Sequence, residues 1–464
     1  MDKIIRNRNS CHPAPLNLSK PAGNNSFLII AILFVSGAFM LLFLTLNIND
    51  LLIGVFCIWT GLFLAYLFKR KYRDWLNPAT IFSAIWICFF GLSYFGDIVP
   101  GYEGSVYTYG KPSEWTILLV FVSYAFFIFG ILMASKKTKI LYYRNASFFE
   151  RFRESCNLQL FKMTTIILFI IGLSFYIFFV YKNEWIIPIL AGMPRGRVEL
   201  PVLAYFSMLL RVTAVLGVIY CCILYRSKGQ LSKLMIIISW VSILTLFSNV
   251  ERVTVMTSLI MVFVAIYYLL MDKKIKILPS LLILLLLFIT FYSILYLRAK
   301  ALNFERYYLL STYNDTGAAF RNLSYVLETQ TPHYKPLTTI QFLDAFFGHR
   351  LRIAVVQEQL AIFNNYGLIS TYLAWIYLDF GILGCIAVPF FLGIITGLGY
   401  TYMITRPNIF TFFLYAILAV GVFATYRQFK FTATTEIVFY PVVGYLFYLV
   451  TKRRYKKRKG SGVK

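Results

Sequence analysis

The chemistry of this sequence lies in its arginines. Arg195 and Arg197 flank Gly196 behind Pro194 in "AGMPRGRVEL", a polar step between two apolar runs. A guanidinium grips an anion through two parallel N–H donors, and backbone N–H groups around a glycine can join it. Arg211 stands inside the apolar run "AYFSMLLRVTAVLGVIY", where a cation is costly and normally faces a partner or an aqueous cavity. Arg252 shares the short step "SNVERVTV" with Glu251. Arg321 lies in "AAFRNLSYV", and Arg350 and Arg352 follow His349 in "FFGHRLR". Two groups suit proton transfer near neutral pH, His349 and His333, the latter in "TQTPHYKP". For each arginine the competing role is a plain ion pair, such as Arg195 and Arg197 with Glu184 and Glu199.

The elements that must hold these groups follow from composition. The 464 residues are 59% hydrophobic and 19% aromatic, with a mean hydropathy of +0.71. Apolar runs long enough to cross a bilayer recur along the length, so the fold class is an all-α polytopic membrane protein. The runs predict about 12 transmembrane helices: Phe27–Leu46, Leu51–Phe68, Ala79–Phe95, Trp115–Met133, Met163–Tyr181, Leu203–Leu224, Leu234–Phe247, Thr254–Met271, Ile277–Leu297, Phe380–Met403, Ile409–Ala424 and Ile437–Val450. Phe27–Leu46 reads as a retained anchor, being too long for a signal-peptide core.

Charge orients the helices. Alternate connections, together with residues 1–26 and the basic tail 451–464, hold 30 of the 45 Lys and Arg but only 5 of the 19 acids. Cytoplasmic loops carry such an excess, so both termini face the cytoplasm. The formal charge of +26 therefore reports topology and attraction to anionic lipid rather than nucleic-acid binding. Within the remaining segments 10 of 15 basic residues are arginine, against 12 of 30 inside. Lysine suffices for topology, and arginine is favoured where a planar fork must hold phosphate, so the outer face is prepared for a phosphorylated ligand.

The chain divides into a cytoplasmic segment (1–26), a membrane domain of nine helices (27–297), one long outer loop (298–379), three last helices (380–450) and the tail. Long outer loops usually carry function. In this one "LRIAVVQEQLAIF" places Ile353, Val356, Leu360 and Phe363 on one face, an amphipathic helix for the membrane boundary. The run 369–378 reads as a re-entrant or interfacial half-helix broken near Asp379–Gly381. The sequence lacks a P-loop, zinc motif, nucleophile elbow or dinucleotide fingerprint, so neither ATP hydrolysis nor redox chemistry is indicated, and no metal or cofactor is implied. The seven cysteines fall mostly in apolar runs and read as small buried hydrophobes.

The segments "SNVERVTVMTSLI", "YYLLSTYNDTGAAFRNLSYVLE" and "STYLAWIYLDFGILGCIAVPFFLG" resemble the bacterial oligosaccharide repeat-unit polymerases, the Wzy-type O-antigen and capsule polymerases. The last contains a Tyr–x–Asp–Phe–Gly–x–x–Gly turn, written here as Tyr377, Asp379, Phe380, Gly381 and Gly384. The resemblance implies a metal-independent glycosyltransferase of the cytoplasmic membrane's outer face. It would move a growing glycan from undecaprenyl diphosphate to a hydroxyl of the next lipid-linked unit, in lipopolysaccharide, capsule or exopolysaccharide biosynthesis. For such a reaction, residue chemistry and placement give diphosphate binding to Arg195, Arg197, Arg211 and Arg252, with Arg321, Arg350 and Arg352 as second candidates. His349 or His333 would be the base, with Glu251 orienting Arg252, and Tyr313, Asn314, Asn322 and Asp379 would hydrogen-bond sugar. Implied partners are the lipid-linked glycans, the bilayer, a chain-length regulator and a flippase. A flippase for lipid-linked oligosaccharide and an O-antigen ligase are the rival readings.

Overall fold

The computed structural model describes residues 37, 50–98, 112–136, 147–182, 184, 185, 187, 201–248, 252–270, 289, 293, 308–332, 334, 335, 371–426 and 436–452. Among these the chain is almost entirely helical, without a β-strand. Helix α1 is Asp50–Tyr72. Helix α2 starts at Pro78–Phe82, passes a π turn at Ser83–Ile87, continues through Cys88–Leu92 and ends in a 3-10 turn at Ser93–Ile98. Then follow α3 (Glu114–Lys136), the short α4 (Ser147–Ser155), α5 (Leu158–Lys182), α6 (Pro201–Lys228), α7 (Lys233–Ser248) and α8 (Arg252–Leu270). The last four are α9 (Tyr308–Thr329), α10 (Tyr372–Thr405), α11 (Ile409–Ala424) and α12 (Glu436–Thr451).

Six of the described helices are long and apolar enough to cross a membrane, and four shorter ones are apolar. Ten of the runs expected from hydropathy coincide with helices; Phe27–Leu46 and Ile277–Leu297 lie outside the described residues, apart from isolated positions. Their outward faces are apolar: Ile167, Ile170 and Ile177 on α5 and Leu383, Phe391 and Ile395 on α10 are exposed. Such faces are stable against hydrocarbon, where every backbone group is satisfied within its own helix.

The tightest contact joins α3 to the second half of α10. A Cβ on Gly130 would run into the Phe390 carbonyl oxygen, one on Gly393 into that of Phe127, and one on Gly397 would stand 2.9 Å from the Ala134 Cβ. Lipid provides no hydrophobic drive between helices, so small residues that let backbones approach supply the packing energy. Both helices run in the same direction here, since Phe390 and Gly393 sit near Phe127 and Gly130 while Gly397 sits near Ile131 and Ala134.

One end of the bundle is tied by a buried carboxylate. Asp74, in the turn between α1 and α2, is fully buried. Its Oδ2 accepts from the Tyr268 hydroxyl of α8 at 3.0 Å and the Tyr400 hydroxyl of α10 at 2.7 Å, while Oδ1 accepts from the Leu76 N–H at 3.0 Å. The Tyr415 hydroxyl of α11 donates to the Leu76 carbonyl, and the Trp75 N–H donates to the Tyr267 hydroxyl at 3.0 Å. Asn77 closes the turn by capping α2, its Oδ1 accepting from the Thr80 N–H at 3.0 Å ahead of Pro78.

Around this clasp, Arg151 of α4 donates to the Thr405 and Ile404 carbonyls, the C-terminal end of α10, at 2.8 and 3.2 Å. Arg226 donates to the Leu269 carbonyl of α8 at 3.0 Å and lies over the Phe149 ring. These cations meet the negative ends of two helices. The N–H of Asn157, ahead of α5, donates to Thr451 of α12 at 2.7 Å. Replacing Asp74 by Ala strips the acceptor from two buried hydroxyls and one amide. We expect a loss of about 3 kcal/mol and a melting temperature lower by about 5 °C in detergent-purified protein, with Asp74→Asn less affected. An unchanged melting temperature in Asp74→Ala would show that the clasp carries no stability.

At the opposite end α10 folds back on itself. Gly381 has φ 67° and ψ −161° inside what is otherwise helix. In an unbroken helix residues 373 and 385 stand about 18 Å apart along the axis. Instead the Cys385 thiol donates to the Leu373 carbonyl at 3.6 Å, and a Cβ on Gly384 would stand 3.3 Å from the Ile376 carbonyl oxygen. Residues 372–380 are therefore a half-helix lying antiparallel to 382–405, with Gly381 at the apex. The left-handed φ demands a residue without a Cβ. The break expected near Asp379–Gly381 is present. The half-helix does not lie on the membrane boundary: Tyr372, Leu373, Ala374, Ile376 and Leu378 are all buried.

Candidate functional site

The half-helix begins inside the protein. Nine residues rising about 1.5 Å each put Tyr372 some 13 Å below the apex. There the Tyr372 N–H donates to the Thr425 carbonyl at the end of α11 at 3.1 Å, and its hydroxyl meets Ser123 of α3 at 2.7 Å. The Trp86 ring of α2 lies edge-on to both Tyr372 and Phe320 of α9, each with centroids 4.9 Å apart. Its Nε1 donates to the Val120 carbonyl at 3.2 Å. Trp86 thus joins the half-helix to α9.

Helix α9 is the element that sequence reasoning missed. Residues 308–329 fall within the expected long loop, yet they form about six turns of helix, of which residues 319–324 are buried. Phe320, Leu323 and Val326 supply the apolar contact, with Phe320 also against Phe90 at 5.3 Å. The same buried stretch carries Arg321, Asn322 and Ser324. Ser324 Oγ meets Thr116 Oγ1 of α3 at 2.7 Å and accepts from the Ser113 N–H at 3.1 Å. Arg321 precedes Ser324 by one turn and so shares its side of the helix.

Asp379 belongs to the same region. Seven residues beyond Tyr372, it returns to the face that meets α3, and Thr116 lies seven residues before Ser123 on α3. With the two segments antiparallel, Asp379 comes to the level of Thr116. Arg321, Asn322, Ser324, Thr116 and Asp379 are each no more than 5% exposed. A cation, a carboxylate, an amide and hydroxyls are thus enclosed near the Gly381 end, between α3, α9 and the half-helix. Polar groups are costly inside a membrane protein and gather where function needs them.

A second locus lies on α6. Arg211 is 5% exposed, beside Leu210, which packs in one cluster with Leu246 of α7 and Val255 and Leu259 of α8. Val255 stands one turn after Arg252, the first residue of α8. Packing therefore places Arg211 at the level of Val255 and Leu259, and Arg252 begins α8 at least one turn further along. Nearby, Tyr176 Oη bonds to Ser248 Oγ at the end of α7, and Thr213 Oγ1 meets Ser242 Oγ at 2.9 Å.

The other expected site residues divide plainly. Tyr313 and Asn314 lie on α9, about two turns before Arg321. Arg195, Arg197, Glu251, His333, His349, Arg350 and Arg352 lie outside the described residues, as does the amphipathic segment 351–363. Among the described residues no group of three or more His, Cys, Asp or Glu is gathered as metal ligands. The residues that sequence reasoning missed are Ser324, Thr116 and Tyr372. The helical spacing of Phe320, Leu323 and Val326 was the available signal for α9. The described residues thus form an almost entirely helical protein with six helices long and apolar enough to cross a membrane and with enclosed polar groups. No protein-family model, curated protein or solved structure matches the chain.

Proposed function

We propose that this protein polymerises undecaprenyl-diphosphate-linked oligosaccharide repeat units at the outer face of a bacterial cytoplasmic membrane. The observation that carries the reading is the unequal chemistry of the two ends. Enclosed Arg211 and Arg321, with Asn322 and Asp379, lie toward the Gly381 end. Lys69, Arg70, Lys71, Arg73, Arg151, Arg226, Arg406 and Lys452 gather at the Asp74 end. The positive-inside rule assigns the Asp74 end to the cytoplasm, in a twelve-span topology with both termini inside. Exposed Trp115, Trp185 and Tyr334 at the other end then form the outer aromatic belt.

In this reading, glycosyl transfer breaks the bond between the growing glycan's anomeric carbon and the donor's diphosphate. The acceptor unit's hydroxyl oxygen forms the new bond, and its proton goes to a base, for which His349, His333 and Glu251 are the candidates. Negative charge develops on the departing diphosphate. Arginine forks fixed in a low-dielectric site stabilise that charge more than water does. Arg211 and Arg252 serve the leaving diphosphate, joined by Arg195 and Arg197. The α9 locus, with Tyr313, Asn314, Asn322 and Asp379, holds sugar, and Arg321 with Arg350 and Arg352 holds the second diphosphate. The lipid chains stay in the bilayer, and a chain-length regulator and a flippase are the natural partners.

The clasp at Asp74 weighs against a flippase, which must open to the cytoplasm and would have to break the buried hydrogen bonds of Tyr268, Tyr400 and Tyr415 there. A ligase shares the outer chemistry, so a gel of surface glycan separates the readings. Deleting the gene should leave single repeat units without a ladder of lengths. Full-length polymer left on lipid would favour the ligase, and units trapped at the cytoplasmic face would favour the flippase. An unaltered ladder would refute all three.

A further inference from the structure

We propose that residues 330–332, 334 and 335, the strap that follows α9, form a latch over the apex of the α10 hairpin and gate the enclosed polar cluster beneath it. The inference rests on reading that cluster as the sugar-binding part of the proposed site. Four observations support it. First, the cluster is sealed although it holds a cation and a carboxylate at the Gly381 end, where a ligand would have to enter. Second, the strap lies on the apex: a Cβ at Gly381 would stand 3.4 Å from both Cε1 and the hydroxyl oxygen of Tyr334, and 3.6 Å from Pro332 Cγ. Third, the strap is open to solvent. The Tyr377 hydroxyl donates to the Gln330 carbonyl at a long 3.4 Å, and Thr331, Tyr334 and Lys335 are exposed, with Tyr334 71% so. Segments with few buried contacts open at low free energy. Fourth, the backbone is left-handed on both sides of the contact, at Tyr334 (φ 54°) and Gly381 (φ 67°). These are positions that can absorb a hinge movement, and Pro332 keeps the helix from running on into the strap.

Among the described residues the strap is a wall that can lift without disturbing the packing of α3 against residues 382–405. Lifting the strap frees the apex and opens a path from outer solvent to Asp379, Thr116 and Ser324. Tyr334 is then the latch's catch, seated against Gly381, where no Cβ intervenes.

The test is cysteine accessibility, which needs no chain-growth assay. Ser324→Cys in the full chain serves as reporter, in membrane fragments open to both faces. It is treated with a charged, impermeant maleimide and labelling at residue 324 is followed by peptide mass. Lys335→Cys, on the exposed strap, sets the unhindered rate. Residue 324 should label at least ~50-fold more slowly than residue 335, as local protection requires. Adding Tyr334→Ala should speed residue 324 about tenfold, and Tyr377→Phe about threefold, in line with losing one weak hydrogen bond. Labelling at 324 as fast as at 335 would show that the cluster was never sealed. A slow rate indifferent to Tyr334→Ala would show that the strap does not gate it. Either result overturns the latch while leaving the glycan-ladder experiment to judge the polymerase reading. If Ser324→Cys fails to accumulate, Thr116→Cys reports on the same cluster, and the same two results there would overturn the latch.

Discussion

Arg211→Lys is expected to abolish surface-polymer ladders while the protein accumulates to normal levels. A side chain 5% exposed in the middle of α6 is retained only if its charge has work to do or a partner to hold. Lysine keeps the charge but loses the planar two-point grip on phosphate. Removing one donor from a site that stabilises developing charge typically costs about 100-fold to 1,000-fold in rate, enough to reduce a ladder to single repeat units. Arg211→Met, of similar length and apolar, should match or exceed that loss. A purely structural arginine predicts the reverse: Arg211→Lys retains the ladder, and Arg211→Met loses the protein from the membrane. Gel analysis of surface glycan beside a blot of membrane protein reads both outcomes in one experiment. The same comparison at Arg252 tests whether the arginines of α6 and α8 act together; if they do, the double variant is no worse than either single one.

Gly393→Leu should fail to yield folded protein. The Gly393 Cα faces the Phe127 carbonyl oxygen so closely that even one added carbon overlaps it, and the reciprocal approach of Gly130 to Phe390 leaves α3 no room to yield. Overpacking into backbone costs more than side-chain repacking can recover, of the order of 4 kcal/mol or more. Size-exclusion chromatography in mild detergent should show the monodisperse peak lost, with Gly393→Ala intermediate. Ala387→Leu, on the exposed side of the same helix, should remain within about 0.5 kcal/mol of the parent. Because residues 382–405 anchor the hairpin, partial loss of this contact should also raise maleimide access at residue 324. A monodisperse, normally stable Gly393→Leu would show that α3 and α10 do not pack at this distance.

The hairpin shows how far the sequence could be read. Its break was legible because Asp379–Phe380–Gly381 interrupts an apolar run too long for one span, and Gly is the residue that a left-handed φ requires. What the sequence did not reveal was the direction of residues 369–378. A short apolar helix on the membrane boundary and one folded back into the protein have the same composition. Only the contacts of Tyr372 with Ser123 and Thr425 distinguish them. Helix α9 was illegible for a related reason. Arg321, Asn322 and Ser324 lower its hydropathy to that of a loop, and their burial follows from partners on α2 and α3 more than 200 positions earlier. In the sequence Asp74 is one more charge beside a basic loop, whereas four tyrosines from three distant helices surround its turn.

By itself the sequence determined that the chain forms apolar helices of membrane-crossing length, which end carries the positive charge, and where the long penultimate run must break. These properties are local. They depend on a residue's transfer free energy, its charge and its allowed backbone angles, all set within a few neighbours. Only the tertiary structure decided that residues 319–324 of α9 are buried, that the segment before Gly381 dips inward rather than lying flat, and that Arg321 and Asp379 are enclosed apart from Arg211. Those outcomes depend on contacts between segments hundreds of residues apart, where the environment of a polar side chain is set by what folds against it and not by its own place in the chain.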